Sequence, residues 1–179
     1  VKGSEFNTNW AQDKMMNKFV FGNADKAGGY FDEENRRHLG ALRTAYAELA
    51  LSLAAEGRFE EAKKAVQKAD KMLNEANFPY GLTNRFNIHN RNSMLFMQAC
   101  IQAGDSALAK KVSAAVKKDL QQQMQYYESL KASKREFMEQ EIYMAEELLS
   151  RLSQMEAPDT TNRIIIPGKA MRPVDSPAK

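Results

Sequence analysis

Cysteine is nearly missing from this chain. Its 179 residues include one, Cys100, so no internal disulfide can form. That does not assign a compartment, because extracytoplasmic proteins also dispense with disulfides. Cys100 falls in an apolar helical run and reads as a buried structural thiol. Histidine is almost as scarce. Neither His38 nor His89 has a metal-type partner three or four residues further on, and Cys100 stands eleven residues from His89. HExxH, CxxC, GxSxG and phosphate-binding glycine loops are all missing. No catalytic residue, cofactor site or metal site is therefore expected, and this chain is not expected to be an enzyme. Long hydrophobic runs are missing too. No stretch approaches the roughly 20 apolar residues that span a bilayer, so direct membrane insertion of this segment is not expected. Charge of one sign is also lacking: 26 basic residues face 23 acidic ones, a net +3. The signs mix along each helical stretch, as on solvated helix faces, instead of gathering into a basic face. A nucleic-acid partner is not expected.

Proline is rare, with five in all, and Val and Thr are few. Leu, Ala, Met, Lys, Glu and Gln dominate, and these are good helix formers. The fold class expected is all-α: about six helices in antiparallel hairpins, followed by an extended tail. Three regions follow from the pattern. Residues 1–31 hold a first helix, capped by Thr8 or Asn9, and an irregular lead-in through Gly22 and Gly28-Gly29. Residues 32–156 form the helical-repeat domain. Residues 157–179 hold four of the five prolines and one apolar cluster, Ile164-Ile165-Ile166, and read as an extended or disordered tail.

Within the middle region Asp32 is a strong N-cap, with Glu33 and Glu34 suited to the helix dipole. The helix it starts carries Leu39, Leu42, Tyr46, Leu49 and Leu53 on one stripe and breaks at Gly57. A second helix is expected over 59–76. After a loop enforced by Pro79 and Gly81, further helices are expected from 84–87 to 103, over 106–130 and over 133–155. Tyr126, Tyr127, Phe137 and Tyr143 read as packing between the last two.

The chain repeats itself. Gly57 to Gly104 is 47 residues, and so is Ala62 to Ala109. Leu53 matches Cys100, Val66 matches Ser113, and Ala69 matches Val116 at the same offset. A glycine that ends one helix, and an alanine that lets the next pack closely, make a helical hairpin. Tyr46, Leu49, Ala50, Leu53, Gly57, Phe59, Ala62, Val66 and Ala69 fall at tetratricopeptide spacings. The second hairpin matches at Gly104, Ala109 and a few apolar sites. The 47-residue period exceeds the usual ~34 because the intervening loop is longer.

Particular strings carry a family resemblance. Lys14-Met15-Met16-Asn17-Lys18-Phe19, Phe21-Gly22-Asn23 and Gly29-Tyr30-Phe31-Asp32-Glu33 resemble the region just beyond the membrane part of a bacterial multi-pass membrane protein family of unknown function. That family is distantly similar to protein O-mannosyltransferases, which use lipid-linked sugar donors. Phe78-Pro79-Tyr80-Gly81 and the segment from Asn84-Arg85 to Arg91 fit the same soluble part, so the likeness covers roughly residues 7 to 150. It implies a many-helix membrane domain upstream, this domain on the extracytoplasmic (periplasmic) side, and any catalytic residues in the membrane portion. None transfers to this chain. The missing initiator Met and absent signal peptide fit a fragment, and Gly3-Ser4-Glu5-Phe6 reads equally as native sequence or a cloning remnant.

The most unusual stretch is Thr83 to Asn92, with four asparagines, two arginines and a histidine at a helix start. One reading is capping and loop anchoring. The other is a polar groove for a carbohydrate, peptide or carboxylate, with Asn84, Arg85, Asn87, His89 and Arg91 as its binding residues. The function expected is a non-catalytic interaction domain binding a protein or peptide, or the membrane domain of its own chain. The alternatives are a ligand-binding or enzymatic domain built on Asn84–Asn92, and a free-standing cytoplasmic adaptor.

Overall fold

A computed structural model describes residues 7–156. The expectations for residues 1–6 and for the tail lie outside the described residues. Those described are all-α: α1 (Thr8–Asn17), α2 (Glu33–Ala55), α3 (Phe59–Met72), a 3-10 turn (Arg85–Asn87), α4 (Ile88–Gln102), α5 (Ser106–Ser129), α6 (Ala132–Phe137) and α7 (Glu139–Glu156).

Two hairpins make the centre, α2 on α3 and α4 on α5, with α2 lying against α4. Their turns are built alike. Gly57 has φ +78°, its N–H donates to Ala54 at 3.0 Å, and Arg58 N–H donates to Leu53 at 2.9 Å. Gly104 has φ +75°, its N–H donates to Ile101 at 3.0 Å, and Asp105 N–H donates to Cys100 at 2.8 Å. Each partner is offset by the same 47 residues. The left-handed glycine closes the last helical turn and satisfies carbonyls that would otherwise be orphaned. Ala62 and Ala109 are buried at matched places, as are Val66 with Ser113 and Ala69 with Val116. Small side chains there bring the paired helices close, and the larger neighbours fill the groove.

Asp32 caps α2 as expected, accepting from Asn35 N–H at 2.8 Å. Helix α1 starts one residue early, capped by Asn7, which accepts from Trp10 N–H at 3.0 Å. It ends at Asn17; Phe19 beyond it is exposed, whereas Phe21 enters the core and stacks on Tyr46. A ten-residue helix is too short to hold itself in water. Tyr46 Oη donates to Met15 O at 2.5 Å and Lys68 Nζ donates to Met15 O and Met16 O, a cation on the helix's negative end.

Two more boundaries differ from the sequence expectation. α3 stops at Met72, where Leu73 turns extended yet stays buried. The expected last helix is split at Met138 (φ −101°, ψ 12°) into α6 and α7. The split lets α7 lie on α5 with Ala145, Leu148 and Leu152 inward. It leaves Phe137 and Tyr143 exposed, together with Tyr126, so of the four aromatics expected in that interface only Tyr127 is buried.

Candidate functional site

The loop from Leu73 to Asn84 is wedged between the hairpins. Phe78 packs on Phe31, and Tyr80 stacks on Phe96 with ring centroids 5.8 Å apart. Tyr80 Oη donates to Asp70 at 2.8 Å, and burial pushes this phenol far above its ordinary range. Arg43 of α2 is buried beneath the loop. Its guanidinium lies 4.1 Å from the Tyr80 ring centre and donates to Phe78 O at 2.7 Å and Pro79 O at 3.3 Å. Among the described residues no carboxylate pairs with it directly; carbonyl dipoles and an aromatic face stabilise its charge instead. Gly81 is the closest approach. A Cβ there would sit 2.3 Å from Ala115 O and 2.9 Å from Asp119 Cβ on α5.

The five sequence-nominated residues take separate places around this wedge. Asn84 Oδ1 accepts from His89 N–H at 3.0 Å, a cap on the start of α4. Arg85 lies over the ring of its neighbour Phe86, 4.7 Å from the centre. Asn87 is buried and exchanges two amide bonds with Gln123, of 3.0 and 2.9 Å. His89 donates from Nε2 to Pro79 O at 2.8 Å, the carbonyl that Arg43 also reaches. Burial holds the His89 imidazole below its ordinary value; the Pro79 bond opposes that shift and nearby Arg43 reinforces it. Only Arg91 turns to a surface groove.

The inward residues belong to one amide–carboxylate network. Asn90 Nδ2 donates to Asn87 Oδ1 at 3.0 Å and to Asp119 Oδ2 at 2.8 Å; Gln123 Nε2 donates to Asp119 Oδ2 at 2.9 Å. Thr83 Oγ1 donates to Asp119, and Asn90 Oδ1 accepts from Leu82 N–H at 3.2 Å. Phe86 and Asn87 stand at φ +57° and +50°, a left-handed pair costing roughly 1–3 kcal/mol each. The network is what keeps Asn87 there. Gln123 and Arg43 were not singled out by sequence reasoning, although a signal existed. Gln123 continues the apolar stripe Val112, Val116, Leu120, and Arg43 lies one turn from both Leu39 and Tyr46. A polar side chain on a buried stripe marks an internal network.

A cleft runs between α4 and α7. Arg91, Met94, Leu95 and Gln98 form one stripe of α4, and Leu148, Arg151 and Met155 face them from α7. The cleft holds about 60 Å³. Arg151 also borders a more open basin with Tyr143, Glu147 and Gln154. Glu156, at the end of α7, is bonded to Ser113 and Lys117 and pins that helix to α5. Among the described residues, neither Arg91 nor Arg151 forms an ion pair. No group of three His, Cys, Asp or Glu among them is placed to hold a metal, and no helix is long and apolar enough to cross a membrane. Cys100 is buried, and burial pushes its thiol well above the ordinary range.

No known family model, no curated protein and no solved structure matches this chain.

Proposed function

We propose that this chain is a non-catalytic helical-repeat interaction domain of tetratricopeptide-like design, and that its working face is the one shared by α4 and α7. The observation that carries the reading is the pair of matching turns, 47 residues apart, with the first helices of both hairpins packed side by side. Stacking units in that way builds an extended surface by geometry alone. Asn84, Asn87, His89 and Asn90 are spent on capping α4, on the loop and on α5, which favours the interaction reading over a ligand pocket built on them.

The partner is a protein or peptide, either another polypeptide or the membrane domain of the same chain. The strings around Lys14–Phe19 and Gly29–Glu33 support the wider proposal, an extracytoplasmic domain following the membrane part of a glycosyltransferase-like protein. Photo-crosslinking residues placed at Gln98 and Gln154 on the proposed face, and at Lys64 and Lys118 on α3 and α5, test the interaction. The expected result is one discrete adduct from Gln98 and Gln154 and none from the control positions. Equal adducts from both sets, or none, refute it. The coding sequence upstream of Val1 tests the membrane proposal separately: hydrophobic spans there support it, and a soluble domain overturns it.

A further inference from the structure

The α4–α7 cleft is specific in what it offers. Its floor is Met94, Leu95, Leu148 and Met155, and its rim carries Arg91 from one helix and Arg151 from the other, neither ion-paired among the described residues. Side chains four and seven residues apart on each helix keep these groups on facing stripes. The volume decides the kind of ligand. About 60 Å³ is roughly two waters' worth of space, far below the ~300–1,000 Å³ of a small-molecule pocket. It is room for one side chain of a peptide lying across the surface. Methionine walls adapt to irregular aliphatic shapes. A guanidinium on each bank suits a planar carboxylate, which two arginines can grip by paired hydrogen bonds. Two acidic residues of α7, Glu146 and Glu147, border the open basin beside Arg151, and among the described residues neither forms an ion pair with either arginine.

Building on the interaction reading above, we infer that this cleft binds a linear peptide segment in which an acidic residue adjoins a branched aliphatic one. The aliphatic side chain enters between Met94, Leu95, Leu148 and Met155, and the carboxylate lies between Arg91 and Arg151.

The test uses the full 179-residue chain. Two capped hexapeptides serve as probes, one with an aspartate–leucine pair at its centre and one with asparagine replacing the aspartate. NMR follows the methionine methyl groups and the arginine Nε–H signals. The expected result is a saturable shift at Met94, Met155, Arg91 and Arg151. Binding should be roughly threefold to fivefold weaker for the asparagine peptide, the scale of an exposed ion pair. Arg91→Gln and Arg151→Gln should each weaken the acidic peptide by a similar factor and leave the asparagine peptide unchanged. Both residues are exposed, and an unaltered circular dichroism spectrum shows that the variants fold. Equal binding of the two peptides, shifts elsewhere on the surface, or no shift overturns the inference. So does occupation by the chain's own tail, seen as movement of the Arg151 signal in Asp159→Asn without any peptide. If Gln98 still crosslinks to a partner while the acidic group proves irrelevant, the interaction reading stands and only this chemistry falls.

Discussion

His89 shows how one side chain can look chemical in sequence and prove architectural in place. Its ring donates to Pro79 O beside the Arg43 guanidinium, in a setting too dry to favour a second proton. The imidazole therefore titrates below its ordinary 6.5 in the folded chain. The unfolded chain takes up that proton first, so stability falls as pH drops through 6.5 towards the folded value and gains nothing from His89 above it. Urea denaturation between pH 8 and 5 should show that decline, and His89→Gln, which can donate to Pro79 but not titrate, should flatten it. An NMR midpoint for His89 at or above 6.5 would contradict the assignment. Carboxylate losses belong lower. Glu61 is held down to about 2 by Arg58 and Gln12, so its share is lost only as pH falls below 4.5.

At the scale of the element, the two hairpin turns are the units that repeat. Gly57 and Gly104 share a left-handed φ and one hydrogen-bond scheme, although Arg58 and Asp105 beside them have nothing in common. Arg58 ties α1 to the turn through Asn9 and Gln12, whereas Asp105 caps α5 and reaches Gln67 of α3. The shared part of the turn is backbone, so its cost on substitution should be shared as well. Gly57→Ala and Gly104→Ala should each destabilise by about 1–2 kcal/mol, the penalty for a Cβ in the left-handed region. Neither added Cβ meets another atom within 4 Å, so packing adds nothing to that figure. Urea midpoints of the pair measure it, and a difference above ~1 kcal/mol would mean that the turns are not equivalent.

Across the whole molecule the Phe78–Gly81 loop acts as a keystone. It touches α2 through Arg43, α3 through Asp70, α4 through Phe96 and α5 through Ala115. Gly81 makes the last contact, and the atom it meets is backbone, which cannot rotate away. Gly81→Ala should therefore cost about 1–3 kcal/mol or more from overpacking. It should also raise amide hydrogen exchange in both hairpins, since one loop braces both. Exchange that rises only within the loop would show that the hairpins hold together without it.

The sequence by itself determined the helical class, the Asp32 cap and both glycine turns, because these rest on local backbone preferences and a repeat visible as spacing. It also marked the loop, through Pro79 and Gly81, and the unusual asparagines beyond it. What those asparagines do was decided in three dimensions. Asn87 and Asn90 meet Asp119 and Gln123 from a helix some thirty residues on, and no local pattern states that pairing. The same holds for the aromatics of the last helices, whose exposure follows from the break at Met138. A single cysteine and two histidines narrow the chemistry without locating a surface. The α4–α7 cleft exists because α7 packs on α5 through Ala145, Leu148 and Leu152 and is tied there by Glu156, which brings Arg151 opposite Arg91, sixty residues away along the chain.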